Sequence, residues 1–330
     1  MKIAVLGKKN YLYWDSHVMD AFNKLGHDVK SFQINFRPFV IQTVRGLMKP
    51  FGKKKAQQLT DFLHAKHIVQ ELNHFKPDLI FITSAFFVSL EYYIELNKIV
   101  SKPIICAWDG DGGADCLAQS CYVDFIDILF ESEYSYTMQN KLGFKNIVHL
   151  PFAANPTVHK VLNLERKNTI YFCGAWSLER DEVITSIDYP INLRGWNWKK
   201  LSHKSKFCNI KSGTVDIIEQ VKDYNSNIAV LNKHQAINHI DALNMRTFEA
   251  PACGALLIND YRKELPYMYD LNKEVCVYHN KEDLNEIITH LKSSPKDFEK
   301  IRVSGYRRIL NEHTYVHRMK KVIQYIKGTL

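Results

Sequence analysis

The sequence predicts an α/β protein made of two Rossmann-like, doubly wound domains, and three observations predict it. Short apolar runs rich in Ile, Val, Leu and Phe alternate with longer amphipathic stretches, the pattern of parallel strands buried on both faces and joined by helices. The alternation breaks once, across Pro151 to Lys167, where Pro151, Pro156 and a polar stretch intervene before a fresh apolar run begins at Thr169. The chain has 330 residues, past the size of about 250–300 at which a single hydrophobic core stops growing.

Taken in order, the first half reads as strands at Ile3 to Leu6, Val29 to Phe32, Leu79 to Thr83, Ile104 to Ala107, Ile128 to Glu131 and Ile147 to Leu150. Helices are expected over Ser16 to Leu25, Ala56 to Phe75, Leu90 to Ile99 and Tyr134 to Leu142, the last stopped by Gly143. In the second half, strands are expected at Thr169 to Cys173, Ile191 to Arg194, Ile228 to Leu231, Ala255 to Ile258 and Val275 to Tyr278. Two helices, Pro295 to Leu310 and Tyr315 to Lys327, close the chain. The expected domains are residues 1–155 and 168–312, with a helical segment at 313–330 packing back on the first. Ligands of open α/β sheets bind beyond the carboxyl ends of the strands, so function is expected on those loops, facing a cleft.

Composition narrows the partners. Hydrophobic residues at 46% and charged residues at 24% are those of a globular protein, and the net charge of +9 suits a phosphate-rich ligand, a polyanionic acceptor or an anionic membrane surface. The seven cysteines show no CxxC pair and read as reduced thiols rather than disulfides or metal ligands. MKIAVLG runs into a strand without the features of a signal peptide, and no apolar stretch approaches the roughly 18 residues needed to span a bilayer, so a cytoplasmic location is expected. Nucleic-acid binding has no motif behind it and a serine triad lacks its GxSxG elbow.

The most informative stretch is Leu243 to Asp260, LNMRTFEAPACGALLIND. It reads as a polar helix start, a short helix interrupted by Pro251, a glycine stop and a buried strand. Asn244 and Arg246 fall at the helix start, where free backbone amides and the helix dipole favour an anion and a guanidinium adds a bidentate phosphate donor. Glu249 lies three residues beyond Arg246, so the two share a side, and a carboxylate one turn past a diphosphate suits the hydroxyls of a ribose. The plain alternative is an Arg–Glu surface pair on an ordinary helix.

This segment resembles the nucleotide-binding helix of GT-B glycosyltransferases, in particular the CgeB-like (spore maturation protein) branch of the group 1 superfamily. Four further stretches, taken in order, are similar to the same branch: YFCGAWSLER with Gly174, Trp176 and Arg180, LRGWNW with Trp196 and Trp198, the strand ending in Asn232, and NEHTYVHRM near the end. The resemblance spans Tyr171 to Met319. It implies a GT-B fold, a nucleotide-sugar donor, no obligatory metal or cofactor, and Glu249 on the donor ribose. The implied donor-binding set is Gly174, Trp176, Arg180, Trp196, Asn232, Asn244, Arg246, Thr247 and Glu249. The chain lacks the paired Arg and Lys that many group 1 relatives carry after that glycine.

The first half is expected to hold the acceptor: a glycan, a lipid-linked molecule or a protein. Asp15 and His17 follow the first strand and are candidates to orient or deprotonate an acceptor hydroxyl; the alternative makes Asp15 an N-cap and His17 a surface residue. Asp109 opens DGDGGAD at a strand end and is a third candidate. Ser120 stands where a calcium loop needs Glu, and the DGD triplet only mimics the metal-binding Asp-x-Asp of the GT-A fold, so no metal is assigned. Residues 36–55 mix Arg37, Arg45, Lys49, Lys53, Lys54 and Lys55 with apolar side chains, which suits peripheral contact with an anionic membrane, at the inner face in the cytoplasmic case, or a solvated basic face. The function expected is transfer of a sugar from a nucleoside diphosphate to an acceptor hydroxyl. A GT-B nucleotide-sugar 2-epimerase and a non-catalytic coat or assembly protein are the rivals.

Overall fold

The computed structural model describes residues 1–8, 13–83, 85, 88–110, 120–135, 143–201, 208–235 and 240–329. The chain folds as two units, Met1–Pro151 joined by the chain from Met319 onward, and Phe152–Arg318.

In the first unit, β1 (Lys2–Gly7), β2 (Asp28–Gln33), β3 (Leu79–Thr83), β4 (Ile104–Asp109), β5 (Ile128–Glu131) and β6 (Ile147–His149) form a parallel sheet in the order β2-β1-β3-β4-β5-β6. Neighbouring side chains on a strand point to opposite faces, and in β1, β3, β4 and β5 both faces are buried. Ala4, Leu6, Ile80 and Ile82 pack on one side against Ile68, Val69 and Leu72 of the helix Lys53–Phe75 and Tyr92, Tyr93 and Leu96 of the helix Leu90–Leu96. On the other face, Phe81 meets Phe22 of the helix Trp14–Lys24 at 5.5 Å, and Phe130 meets Tyr325 of the last helix, Tyr315–Thr329, at 6.3 Å.

The second unit carries β7 (Lys167–Cys173), β8 (Ile191–Gly195), β9 (Cys208–Ser212), β10 (Asn227–Asn232), β11 (Leu256–Asp260) and β12 (Cys276–Tyr278), all parallel, in the order β12-β11-β10-β7-β8-β9. Its helices are Leu178–Thr185, Ile217–Ser226, Arg246–Ala252, Leu265–Met268, Lys281–Ser293 and Glu299–Glu312. Several start where a side chain caps a free amide: Asp216 accepts from Ile218 N at 2.8 Å and Asn280 from Asp283 N at 2.8 Å. Ile170, Phe172, Ile191, Leu193, Leu231 and Ile258 form one core with Leu284, Ile288 and Leu291.

Two elements differ from the sequence expectation. CNIKS forms the edge strand β9, which has no apolar run because it is covered little; Ile210 is 39% exposed. The basic, apolar stretch after Phe36 contains a helix, Phe39–Met48. Residues 136–142 of the helix expected over Tyr134 to Leu142 lie outside the described residues. Among the described residues, no helix is long and apolar enough to cross a membrane.

Candidate functional site

In each sheet the strand order reverses once, between β1 and β3 and between β7 and β10. Helices that follow such a pair leave to opposite faces, so the carboxyl ends of the two strands are left uncovered for a ligand. In the second unit those ends are Cys173 and Asn232.

Gly174 follows β7 in a tight turn: a Cβ there would lie 3.2 Å from Arg180 Nη1 and 3.3 Å from the Phe172 ring, so those side chains would have to give way slightly. The turn is fixed from the next loop. Gly174 N donates to Arg194 O at 2.9 Å, and the buried Trp198 donates Nε1 to Gly174 O at 2.7 Å. Gly195, at φ +136°, comes so close that a Cβ on it would stand 2.0 Å from Gly174 O. Trp198 is therefore a packing residue, edge-on to Phe172 at 5.8 Å. Trp196 is 55% exposed, while Trp176 donates Nε1 to Asp181 Oδ2 at 2.9 Å.

Arg180 lies in the first turn of the helix Leu178–Thr185 and is not a solvated helix residue; it is 4% exposed. Its guanidinium joins the two loops, donating to Ala175 O at 2.9 Å, Lys233 O at 3.0 Å and Gln235 Oε1 at 3.3 Å. These acceptors are all neutral. Burial, with Arg246 adding its repulsion, draws the Arg180 pKa down to about 9.

Asn232 is the hub of the site. Its amide nitrogen, with two hydrogens to give, donates to Asn259 Oδ1 at 2.7 Å and Asn244 Oδ1 at 3.0 Å and lies 3.2 Å from Thr247 Oγ1. Its oxygen accepts from Asn244 Nδ2 at 3.0 Å and from Arg246 Nε at 3.1 Å. Asn232, Asn244 and Thr247 are buried, and Arg246 is partly exposed. Asn244 is held in turn by His234, whose Nε2 accepts from Asn244 N at 3.0 Å while Nδ1 contacts Asp260 Oδ1 at 2.6 Å. An Nε2 that accepts requires the proton on Nδ1, so His234 is neutral and donates to Asp260. Burial pushes the Asp260 carboxyl up, but His234, Arg262 and Lys233 outweigh it and hold the group well below the usual range.

One sequence expectation is corrected by this geometry. The helix Arg246–Ala252 does not offer a row of free amides to an anion. Thr247 N donates to Asn244 O at 3.1 Å and lies 3.3 Å from its Oδ1, and Phe248 N and Glu249 N both donate to Met245 O. The helix is also only seven residues long, Pro251 included. Positive charge at this point comes from the guanidinium of Arg246.

Glu249 is one turn on and 4% exposed. Burial pushes its carboxyl up to about 7 against the attraction of Arg246 and the Tyr224 hydroxyl, which lies 3.5 Å from Oε2. His159 Nε2 stands 3.7 Å from Oε1. A carboxyl poised near neutrality ionises readily when a ligand supplies donors.

In the first unit, Asp15, His17 and Asp109 all belong to the carboxyl end of the sheet. The helix Trp14–Lys24 starts after Tyr13, which has φ 55°, so Asp15 is not its N-cap. Asp15 and His17 are 4% and 2% exposed, which excludes the surface alternative for His17. Burial, opposed by Asp20, lowers the His17 pKa to about 4, leaving the ring neutral at physiological pH. Asp109 ends β4 and is buried. Residues 111–119, with the rest of the DGDGGAD loop past Gly110, lie outside the described residues.

Sequence reasoning missed His234, Asn259, Asp260 and Tyr224. The signal for two of them was present, since Asn259 and Asp260 are polar residues ending an otherwise apolar strand.

Residues 179–324 match the family described as glycosyl transferase-like. No curated protein matches the chain in sequence. Among solved structures, it is similar to sucrose-phosphate synthase from Thermosynechococcus elongatus at TM-score 0.65 and 10% identity, over 100% of both chains. Anabaena HepE in complex with UDP-glucose is similar at TM-score 0.66 and 9% identity, over 99% of this chain and 100% of that one. UDP-GlcNAc 2-epimerase from Neisseria meningitidis is similar at TM-score 0.57 and 12% identity, over 100% of both. With two six-stranded parallel sheets flanked by helices, and likeness to these structures over essentially its whole length, the chain has the GT-B fold, and residues 179–324 of it carry the glycosyl transferase-like match.

Proposed function

We propose that the chain is a glycosyltransferase of the CgeB-like branch that moves a sugar from a nucleoside diphosphate, held by the Phe152–Arg318 unit, to an acceptor hydroxyl. The observation that carries this reading is the pairing of the partly exposed Arg246 with the buried, near-neutral Glu249 one turn later, at the carboxyl end of β10 where the strand order reverses. Arg246 meets the diphosphate, with Arg180 contributing field from behind Gly174. Charge that builds on the departing diphosphate is stabilised by guanidinia already aimed at it, the largest single contribution such a site makes to rate. Glu249 accepts the ribose hydroxyls. Asn232, Asn244 and Thr247 hold Arg246 in place, and the exposed face of Trp196 is offered to the base or sugar, with Trp176 at the edge.

Asp15, His17 and Asp109 remain the candidates for activating the acceptor, which is a glycan, a lipid-linked molecule or a protein. His17, neutral at physiological pH, can take a proton. The unpaired, buried Cys106, Cys253 and Cys276 fit a reducing compartment, and a cytoplasmic setting is part of the proposal.

The test is calorimetric titration with uridine and other nucleoside diphosphates, together with Glu249→Ala. No heat at millimolar ligand, or equal affinity in the variant, overturns the donor assignment. Fold likeness to an epimerase gives that reaction a separate arm. Incubation with UDP-GlcNAc and no acceptor, followed by sugar-nucleotide analysis, yields a C2 epimer only if the chain is an epimerase.

A further inference from the structure

We propose that the helix Phe39–Met48, with the turn and lysines after it, is a docking surface for an anionic lipid bilayer, on which the first unit lies without crossing it. This proposal is independent of the donor assignment.

The helix is held to its unit by one edge. Ile41 is its buried side chain, and Arg37, just before it, pairs with Asp61 of the helix Lys53–Phe75, where Gln57 also donates to Asp61 at 2.9 Å. The opposite side is apolar and uncovered. Phe39 is 83% exposed, Val40 72% and Leu47 70%, and with Thr43 these positions form one face at helical spacing. Phe51, in the turn that follows, is 70% exposed. Single exposed apolar residues are ordinary, but a group of four on twelve or so consecutive residues marks a surface made for contact.

Charge selects the partner. Arg45, Lys49, Lys53, Lys54 and Lys55 are all exposed, and from Asn35 to Thr60 the sequence has no Asp or Glu. A second copy of the chain, set face to face, would oppose five cations with five more. A neutral protein groove would accept the phenylalanines and leave the lysines idle. An anionic bilayer satisfies both sets: aromatic and aliphatic groups enter the headgroup boundary, and the lysines remain at the phosphates. Each basic residue close to such a surface is worth about fivefold in partitioning.

The experiment is co-sedimentation of the full chain with phosphatidylcholine vesicles, with and without phosphatidylglycerol, at low and high salt, and with soluble heparin as a polyanion control. The expected result is binding to the anionic vesicles alone. Lys53→Gln/Lys54→Gln/Lys55→Gln should weaken it roughly a hundredfold, and Phe39→Ser/Leu47→Ser roughly tenfold or more, while heparin binding ignores the second change. All five positions are exposed, so folding is checked by an unchanged melting temperature and nucleotide binding serves as a second control. Equal loss of heparin and vesicle binding in the lysine variant, with no effect of Phe39→Ser/Leu47→Ser, would make this a soluble-polyanion site and overturn the proposal. So would absence of vesicle binding, whether or not the chain dimerises.

Discussion

Arg246 donates its Nε to Asn232 Oδ1 at 3.1 Å, so the last residue of a buried strand aims the guanidinium that starts the following helix. The arrangement leaves the outer nitrogens of Arg246 for a ligand. Lysine lacks the planar fork and cannot keep the contact to Asn232 while reaching outward. Arg246→Lys is expected to weaken nucleoside-diphosphate binding about tenfold to a hundredfold, the range for losing a hydrogen bond to a charged group. Calorimetric titration reads it, and an affinity within threefold of the parent would remove Arg246 from the site.

Glu249 makes the site pH-sensitive. Its pKa is raised from 4.5 to about 7 by burial, so its contribution to stability is fully present below about 4.5 and is lost as pH rises through about 7. At 1.36 kcal/mol per unit the penalty above neutrality is roughly 3 kcal/mol. Glu249→Gln should therefore raise the melting temperature of the ligand-free protein above pH 7 and leave it unchanged near pH 4. Nucleotide affinity runs the other way, since the ionised carboxylate is the form that accepts ribose hydroxyls. It should fall as pH drops below about 7 in the parent and be flatter in the variant, the difference cancelling titration of the ligand's own phosphates.

Gly195 tests how tightly the Gly174 turn is specified. Alanine there must relieve a 2.0 Å approach to Gly174 O at a φ of +136° that a side chain rarely adopts. A cost of about 2–4 kcal/mol follows, lowering the unfolding temperature by roughly 5–10 °C in a calorimetric scan. Gly143→Ala is the control, because it has positive φ but nothing within 4 Å of the added methyl.

The His234–Asp260 contact should behave as a coupled pair. His234→Ala leaves the Asn244 N–H and a buried carboxylate without this partner, a loss of about 2–4 kcal/mol by denaturant titration. With Asp260→Ala the double-mutant cycle should give a coupling of about 1–3 kcal/mol. Strict additivity would show that the two act on separate parts of the fold.

Much of this architecture is readable in the chain because it rests on local patterns. The runs at Leu79 to Thr83 and Ile128 to Glu131 are buried on both sides and match observed strands end to end. β9 was invisible because an edge strand needs little apolar surface, and the helix Phe39–Met48 was obscured because its exposed face is the apolar one. The Arg246–Glu249 pair is legible as helical spacing. The network around it is not, because Asn232 and Asn259 lie 27 residues apart and meet only when β10 and β11 pair in register. Sequence could likewise not show that Asn244 occupies the amide it was expected to leave open.

The neutral makeup of the Asn232 hub has a consequence for turnover. Amides and a hydroxyl orient Arg246 without neutralising it, and among the described residues the hydrogen bonds of Arg180 go to neutral oxygens, so the incoming donor meets two guanidinia that no hydrogen-bonded carboxylate has neutralised. On the proposed reading, spent nucleotide is retained by the same attraction that recruited its parent. Departure of the product then sets the pace, and high ionic strength should quicken cycling at saturating donor even while it weakens capture.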